Sequence, residues 1–255
     1  MGWEGEGHTD KGLVRYSNQD AFSLNNTLSF WTTADGMGGR AGGDIASRLA
    51  VDTIEGFVTH SLTSPTLSKE KISIPSLLSD SIFSANQAIQ DYVKQHPHFQ
   101  GMGTTVVVLH ISPLPPMQAC IAHVGDSRAY LFRDHALSQL TRDHSWVEKR
   151  IREGKLTPAQ IKGHPMEHVL IRGVGIEQTV KPEVTTVPLL PGDTILLCSD
   201  GLTKMLTDEE ILQCLMEPCQ ESLSTGQRLI EEANRLGGQD NTTVVLVQYN
   251  QVQGV

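Results

Sequence analysis

The alternation of apolar and polar positions predicts a chain that is rich in antiparallel strands. Strand-like runs come in neighbouring pairs joined by short polar or proline-containing connections, at residues 25–27, 112–116 and 133–135. Two runs joined by so short a connection are expected to pair as a hairpin. The predicted strands are 21–24, 28–34, 104–111, 117–123, 128–132, 136–140, 194–198 and 242–249.

Apolar residues recur at helical spacing in four segments. These form two consecutive pairs, 46–58 with 82–93 and 208–215 with 222–236. Because the helices are grouped instead of alternating with single strands, the pattern predicts an α+β fold with helices covering sheets. Between residues 146 and 175 the period is lost and glycine and proline recur, which predicts short helices in a mobile loop. We call residues 146–175 the flap, and we expect residues 1–255 to form a single domain.

The composition narrows the class of protein. With 38% hydrophobic and 19% charged residues the chain is typical of a soluble globular protein, and no apolar run reaches membrane-spanning length. The net charge of −9 argues against nucleic acid as a partner, since a phosphate backbone needs a basic surface. The four cysteines form no C-x-x-C pair and no targeting signal is visible, so we expect a cytoplasmic protein without a membrane partner.

Five aspartates differ in placement from the other acidic residues. Each stands at the edge of a predicted strand, beside a small or turn-forming residue. They are Asp20, Asp35, Asp126, Asp200 and Asp240. Any one of them alone is typical of an ordinary turn. Together they predict carboxylates that converge where strands meet loops, and ionised carboxylates packed so closely need cations.

The ligand chemistry of such a cluster indicates a particular kind of metal centre. An all-oxygen ligand set selects hard cations, Mg²⁺ or Mn²⁺, with water completing the coordination. Two such ions about 3.5–4 Å apart turn a shared water into hydroxide near neutral pH and align it for attack on a phosphoester. Arg15 lies just before Asp20 and is the candidate phosphate ligand, because a guanidinium binds phosphate oxygens in bidentate fashion. A solvated surface arginine is the alternative interpretation.

Seven ordered blocks span the chain: residues 9–20 (TDKGLVRYSNQD), 34–39 (ADGMGG), 101–105 (GMGTT), 122–128 (AHVGDSR), 141–145 (TRDHS), 198–202 (CSDGL) and 238–243 (GQDNTT). Together they resemble the PPM family, the metal-dependent protein phosphatases also called protein phosphatase 2C, and in particular its compact bacterial branch. The resemblance implies a four-layer α-β-β-α sandwich, in which two central antiparallel sheets are flanked by helices and the metal centre lies between sheet edges.

The same resemblance implies a division of labour in a centre with two Mg²⁺ or Mn²⁺ ions and a third, weaker one. The implied metal-site residues are Asp35 as the bridge between the two core ions, the Gly36 carbonyl on one of them, Asp200 and Asp240 on the first, Asp20 through coordinated water, and Asp126 with Asp200 at the third. Arg15 would bind the substrate phosphate, and Arg15 and Asp35 would be the catalytic residues. The flap would influence substrate preference.

The implied function is metal-dependent hydrolysis of phosphoserine and phosphothreonine in proteins, by direct attack of a metal-bridging hydroxide, in bacterial signalling. The nitrogen-regulatory P-II protein is a candidate among the phosphoprotein substrates, and we expect a monomer. One position departs from the family, because several relatives carry a histidine directly after Asp-Gly where this chain has Met37. The proton donor to the leaving group is therefore unassigned, with metal-bound water and a histidine of the flap as alternatives.

Two other functions stay open at the level of sequence. A catalytically silent relative that binds phosphoproteins would share these motifs, although every metal aspartate is present. Residues 164–168 (HPMEH) also match H-x-x-E-H, a zinc-peptidase pattern that needs both histidines on one helical face. The residues that follow, 169–173, include the β-branched Val169 and Ile171 and end in glycine, so a long helix is not expected and the peptidase is the weaker alternative.

Overall fold

The computed structural model describes residues 2–38, 42–64, 72–112, 116–161, 163–217 and 223–250. The strands are β1 (Gly2–Asp10), β2 (Asp20–Asn25), β3 (Phe30–Met37), β4 (Gly103–Thr104), β5 (Val106–Ile111), β6 (Gln118–Val124), β7 (Arg128–Arg133), β8 (Ala136–Gln139), β9 (Glu183–Pro188), β10 (Thr194–Cys198) and β11 (Thr242–Asn250). The helices are α1 (Gly43–Thr63), α2 (Ile74–Gln95), α3 (Trp146–Arg152), α4 (Asp200–Met205), α5 (Asp208–Met216) and α6 (Thr225–Arg235).

Two antiparallel sheets form the centre of the fold. The first has the strand order β1-β11-β10-β7-β8, and the second has the order β2-β3-β5-β6-β9 with the short β4 beside β3. The pairings between these strands are all antiparallel. The three predicted hairpins are present as β2–β3, β5–β6 and β7–β8.

Three apolar layers stack through the molecule. One lies between the second sheet and the helices α1 and α2, and contains the fully buried Ile54. The middle layer lies between the two sheets and contains Trp31 and Ile195, whereas Leu196 belongs to the third layer, with Leu229 of α6. Successive residues of a strand point to opposite faces, so Ile195 and Leu196 serve different layers. The order of layers is α-β-β-α, as the resemblance implies.

The strand β1 is the largest element that the hydrophobic pattern does not predict. It pairs with β11 along its whole length, from Gly2 opposite Asn250 to Asp10 opposite Thr242. Its sequence GWEGEGHTD has little β-branched or alternating apolar character, because Gly5 and Gly7 follow Trp3 on its inward face. A side chain at Gly5 would collide with the Trp31 indole, and one at Gly7 would collide with the Phe22 ring. Close contact with the second sheet therefore removes the residues that normally indicate a strand.

Smaller differences concern element boundaries. The predicted helices 46–58 and 82–93 are parts of the longer α1 and α2. The strand β9 is added to the second sheet beside β6 without a neighbouring hairpin partner, and the short α4 also lacks a clear period. Helix α6 begins after the capping residue Ser224, whose hydroxyl accepts the backbone N–H of Gln227. Residues 113–115 of the predicted proline-rich connection, and the first residue of the predicted helix 222–236, lie outside the described residues.

The described part of the chain contains three of the four cysteines. Cys120, Cys198 and Cys214 are unpaired and buried, and Cys219 lies outside the described residues. None of the described helices is long and apolar enough to cross a membrane.

Candidate metal centre and active site

The five aspartates come from both sheets and meet between the sheet edges. Asp20 opens β2 and lies opposite Asp35 in β3, so the two side chains point to one face. Asp126 follows β6, Asp200 opens α4 after β10, and Asp240 stands just before β11. Because β10 and β11 are antiparallel neighbours, Asp200 and Asp240 reach the same end of the first sheet.

A cavity of about 450 Å³ lies at this meeting point. Its lining includes four of the five aspartates, the predicted phosphate ligand and two residues of the flap. The lining residues are Arg15, Gln19, Asp35, Gly36, Met37, Gly38, Thr105, Asp126, His168, Leu170, Asp200, Lys204, Asp240 and Asn241. Asp20 is buried and lines a neighbouring cavity instead.

Asp20 is held by hydroxyl groups of the other sheet. Its Oδ2 accepts hydrogen bonds from Ser199 Oγ and Thr243 Oγ1, both at 2.7 Å. Its Oδ1 is buried without a hydrogen-bond partner among the described residues, and the same holds for Asp200 Oδ1. A buried carboxylate oxygen without a partner is costly unless a cation satisfies it. These two oxygens therefore fit a hard metal ion that they would contact directly or through its bound water.

Burial and mutual repulsion raise the pKa of three of these carboxyl groups. Desolvation is the main cause at each of them. It raises the pKa of Asp20 to about 7 and that of Asp126 to about 8, with further repulsion from Asp200 in both cases. The pKa of Asp35 lies well above its usual range for the same reason, with repulsion from Asp20 and Asp200 as the next largest causes. The cluster thus favours the binding of positive charge.

Two cationic side chains already contact the cluster. Arg15 Nη2 donates to Asp240 Oδ2 at 2.7 Å, and Lys204 Nζ lies 2.6 Å from Asp200 Oδ2 and 2.8 Å from Asp240 Oδ2. Although burial works in the opposite direction, Lys204 and Arg15 hold the pKa of Asp240 below its ordinary value. Burial alone would lower the pKa of Lys204, but Asp200 and Asp240 raise it above its ordinary value. Lys204 is therefore a charged member of the site.

Gly36 sits where the backbone of β3 passes close to the start of α1. A Cβ at this position would collide with the backbone carbonyl of Gly43, and the Gly36 N–H donates to the Gln19 carbonyl at 3.1 Å. The adjacent Asp35 carbonyl accepts the Thr105 N–H at 2.8 Å. The backbone beside the aspartates is thus fixed by packing and by hydrogen bonds from three segments.

One hydrogen bond closes the flap on itself, and a bridge ties its C-terminal end to the site. The Trp146 N–H donates to the Val169 carbonyl at 2.7 Å, and Val174 forms a bridge with Thr104 beside Gly36. Between them, residues 164–168 form turns, not a helix, so the zinc-peptidase pattern lacks the shared helical face that it needs. His164 stacks on the Trp146 ring instead. The remaining flap residue Lys162 lies outside the described residues.

Sequence reasoning missed two residues of the cavity lining, Lys204 and His168. Lys204 had a local signal, since it lies four residues after Asp200 and so shares its face of α4. His168 stood out only within the H-x-x-E-H pattern and as one of the flap histidines, because the path of a loop without periodicity cannot be inferred from its sequence.

A second group of metal-ligand side chains lies outside this cavity. Ligand atoms of His123, His144 and Glu183 fall within 4.8 Å of one another in the described part of the chain. Their ring nitrogens already have protein contacts: His123 Nε2 contacts the Arg142 carbonyl at 2.7 Å, and His144 Nδ1 accepts the Gly125 N–H at 3.2 Å. This cluster supports the loop that carries Asp126 and is interpreted as structural.

A family model described as protein phosphatase 2C matches residues 4–235. The chain belongs to the protein phosphatase 2C family. The predicted family is confirmed by this match.

Relatives of the chain agree over nearly its whole length. It is 36% identical over 252 residues to a serine/threonine phosphatase, stp, of Listeria monocytogenes, covering 97% of this chain and 96% of the relative. The crystal structure of the Mycobacterium tuberculosis serine/threonine phosphatase PstP/Ppp is 33% identical, covers 98% of this chain and 100% of that one, and superposes with a TM-score of 0.86. These matches confirm the α+β sandwich and the serine/threonine phosphatase class that the sequence predicts.

The comparisons also bear on the metal. The catalytic domain of the serine/threonine protein phosphatase PstP has been solved in complex with two manganese ions. That structure is 33% identical to this chain and has a TM-score of 0.82, and the match covers 97% of this chain and 98% of that one. Protein phosphatase 2C enzymes are metal-dependent, in agreement with the metal dependence predicted for this one.

Proposed function

We propose that this protein removes phosphate from phosphoserine and phosphothreonine side chains of proteins in bacterial signalling, at the cavity between the sheet edges. The observation that carries this proposal is the convergence of Asp35, Asp126, Asp200 and Asp240 on one cavity together with Arg15. Carboxylates would hold the metal, and the guanidinium would hold the substrate phosphate at the same place.

The proposed metal ligands follow the chemistry of the donor set. Asp35, which is repelled by three other carboxylates of the cluster, would be shared between two Mg²⁺ or Mn²⁺ ions, with the Gly36 carbonyl beside it. Asp200 and Asp240 would hold the first ion, Asp20 would hold coordinated water, and Asp126 would complete a third, weaker site with Asp200. When bound, such ions supply an activated water nucleophile and neutralise charge on the phosphate.

Arg15 binds and orients the substrate in this proposal. Its side chain is about half exposed and its Nη2 donates to Asp240. A guanidinium has five N–H donors, so several others can bind a phosphate. Binding to Asp240 places Arg15 at the edge of the cavity, where it can align the phosphorus with Asp35.

Met37 does not supply a proton to the leaving alkoxide, since a thioether has none to give. A Cβ built on Gly173 of the flap would lie 3.3 Å from Met37 Cε, so Met37 packs beneath the flap. Of the two open alternatives, we favour a histidine of the flap, because His168 lines the cavity with the aspartates. We assign the proton donation to His168, because it lines this cavity and histidine is the side chain that most often serves as a general acid.

The remaining expectations are proposals of the same kind. Residues 1–255 form one domain, the flap contributes to substrate preference, and the protein acts as a cytoplasmic monomer on signalling phosphoproteins, with a P-II-type protein as one candidate substrate. A catalytically silent binder is less well supported, because the buried unpartnered oxygens of Asp20 and Asp200 are groups that a metal would satisfy.

Phosphate release tests the proposed function. Purified protein with Mn²⁺ is assayed on phosphoserine and phosphothreonine peptides, with and without chelator, beside the variant Asp35→Asn. We expect release that is lost in chelator and in the variant. Activity that persists in chelator contradicts the metal centre, and the absence of activity on both peptides with Mn²⁺ favours the silent binder.

A further inference from the structure

Lys204 places a positive charge between the two carboxylates that we assign to the first metal ion. Its ammonium contacts Asp200 Oδ2 at 2.6 Å and Asp240 Oδ2 at 2.8 Å. Asp200 is four residues earlier on α4, whereas Asp240 belongs to the segment before β11. The ammonium thus joins two elements at the same end of the first sheet.

This arrangement differs from an ordinary helix-surface ion pair. Lys94 pairs with the single carboxylate of Asp91 on α2, and these side chains are 69% and 49% exposed. The Lys204 side chain is 23% exposed and its two partners are 16% and 15% exposed. Partly buried charges interact more strongly than exposed ones because solvent screens them less. The Lys204 contacts are therefore strong enough to affect what else those carboxylates bind.

An ammonium and a metal ion make opposing demands on these two carboxylates. A protonated lysine has no lone pair, so it cannot become a metal ligand and can only attract the same oxygens. It also repels a divalent cation at short range. Asp200 Oδ1 is buried without a partner among the described residues, so one oxygen of that carboxylate is free to bind while the other is held by Lys204.

We propose that Lys204 is an internal cation that competes with the first metal ion for Asp200 and Asp240, and so lowers the affinity of the site for that ion while stabilising the metal-free protein. This inference rests on the proposed function for the identity of the metal ligands. Because the ion and the ammonium repel each other at this distance, we expect binding of the ion to displace the ammonium from at least one of its two partners. Lys204 thereby sets the metal concentration at which the site fills.

Calorimetric titration with Mn²⁺ tests the competition without any assay of activity. Lys204→Met removes the charge and keeps most of the side-chain volume, and we expect it to tighten Mn²⁺ binding by roughly ten- to a hundredfold. Lys204→Arg keeps the charge and should bind Mn²⁺ nearly as the wild type does. Lys94→Met is the matched control, because it removes a lysine from a helix-surface ion pair away from the cavity.

Thermal unfolding in chelator gives the second readout. We expect Lys204→Met to unfold at a lower temperature than the wild type in chelator and to gain more from added Mn²⁺, because the uncompensated carboxylates repel each other until the ion binds. If the variant does not fold without metal, labelling of wild-type lysines by an amine-reactive reagent replaces it. Mass spectrometry should then show that Mn²⁺ increases the modification of Lys204 and leaves that of Lys94 unchanged.

The outcomes separate this inference from the proposed function. Equal or weaker Mn²⁺ binding by Lys204→Met, or labelling of Lys204 that Mn²⁺ does not increase, overturns the competition while the metal centre stands. Failure of the wild type to bind Mn²⁺ at all overturns the metal centre and the competition together.

Discussion

The carboxylate of Asp126 should destabilise the metal-free protein, so its removal should raise stability. Desolvation, followed by repulsion from Asp200 and Asp143, raises the pKa of Asp126 from an ordinary value of 3.8 to about 8. That interval corresponds to at most about 6 kcal/mol of destabilisation once the group is ionised. Because the side chain is partly exposed and the site can relax, we expect Asp126→Asn to raise the free energy of unfolding of the metal-free protein by about 2 kcal/mol.

The sign of the pH dependence follows from the raised pKa. Between pH 4 and pH 8 the folded protein binds the Asp126 proton more tightly than the unfolded chain does, so stability falls as the pH rises through this interval. The advantage of Asp126→Asn over the wild type should therefore be small near pH 4 and largest near pH 8. For a chain of this size about 2 kcal/mol corresponds to roughly 4–8 °C in the unfolding temperature.

The assay is thermal and urea unfolding in chelator from pH 5 to pH 8, followed at pH 8 by addition of Mn²⁺. Asp143→Asn is the matched control with the opposite sign, because Asp143 makes a bidentate contact with Arg128 at 2.7 and 2.9 Å. It should destabilise the protein. Added Mn²⁺ should narrow the advantage of Asp126→Asn. An Asp126→Asn variant no more stable than the wild type in chelator at pH 8 would refute the reasoning.

Three further predictions concern single side chains. His168→Gln should lower kcat on a phosphothreonine peptide about 100-fold and leave the rate on p-nitrophenyl phosphate, which has a good leaving group, within about twofold; His164→Gln is the control, and an equal fall on both substrates contradicts proton donation. Arg15→Ala should lower kcat/KM on phosphopeptides roughly 30- to 100-fold through loss of a charged hydrogen bond, and unchanged kinetics would return Arg15 to the surface interpretation. Burial lowers the pKa of His110 to about 4. Below about pH 6.5 the unfolded chain therefore binds more protons than the folded protein does, and stability decreases as the pH is lowered. The wild type should therefore lose about 2 kcal/mol more than His110→Leu between pH 7.5 and pH 5 in urea unfolding, and parallel losses would exclude a contribution from His110.

The parts of the fold that the sequence predicts are those with local causes. The hairpins β2–β3, β5–β6 and β7–β8 have alternating runs and short connections, and α1 and α2 have a clear helical period. The strand β1 could not be predicted in this way, because its inward glycines reflect contact with Trp31 and Phe22, which are distant in sequence. Its partner β11 is more remote still.

The candidate site shows the same division. The aspartates could be singled out because each sits beside a turn residue at a strand edge, and the family resemblance implied the role of each one. The ion pairs of Lys204 within the cluster could not be predicted, since its contact with Asp240 joins α4 to a segment 36 residues later. The place of His168 depends on how the flap crosses the cavity, and no periodic pattern encodes that path.

The pairing of β1 with β11 also governs when the site can form. Arg15 follows the first of these strands and Asp240 precedes the second, so the two residues, 225 positions apart, meet only late in synthesis. Contacts between such distant segments slow folding, because a long loop must close before they form. A nascent chain that lacks β11 would expose the edge of β10 and leave Asp200 without its neighbour, so catalytic competence should arrive late and all at once during synthesis.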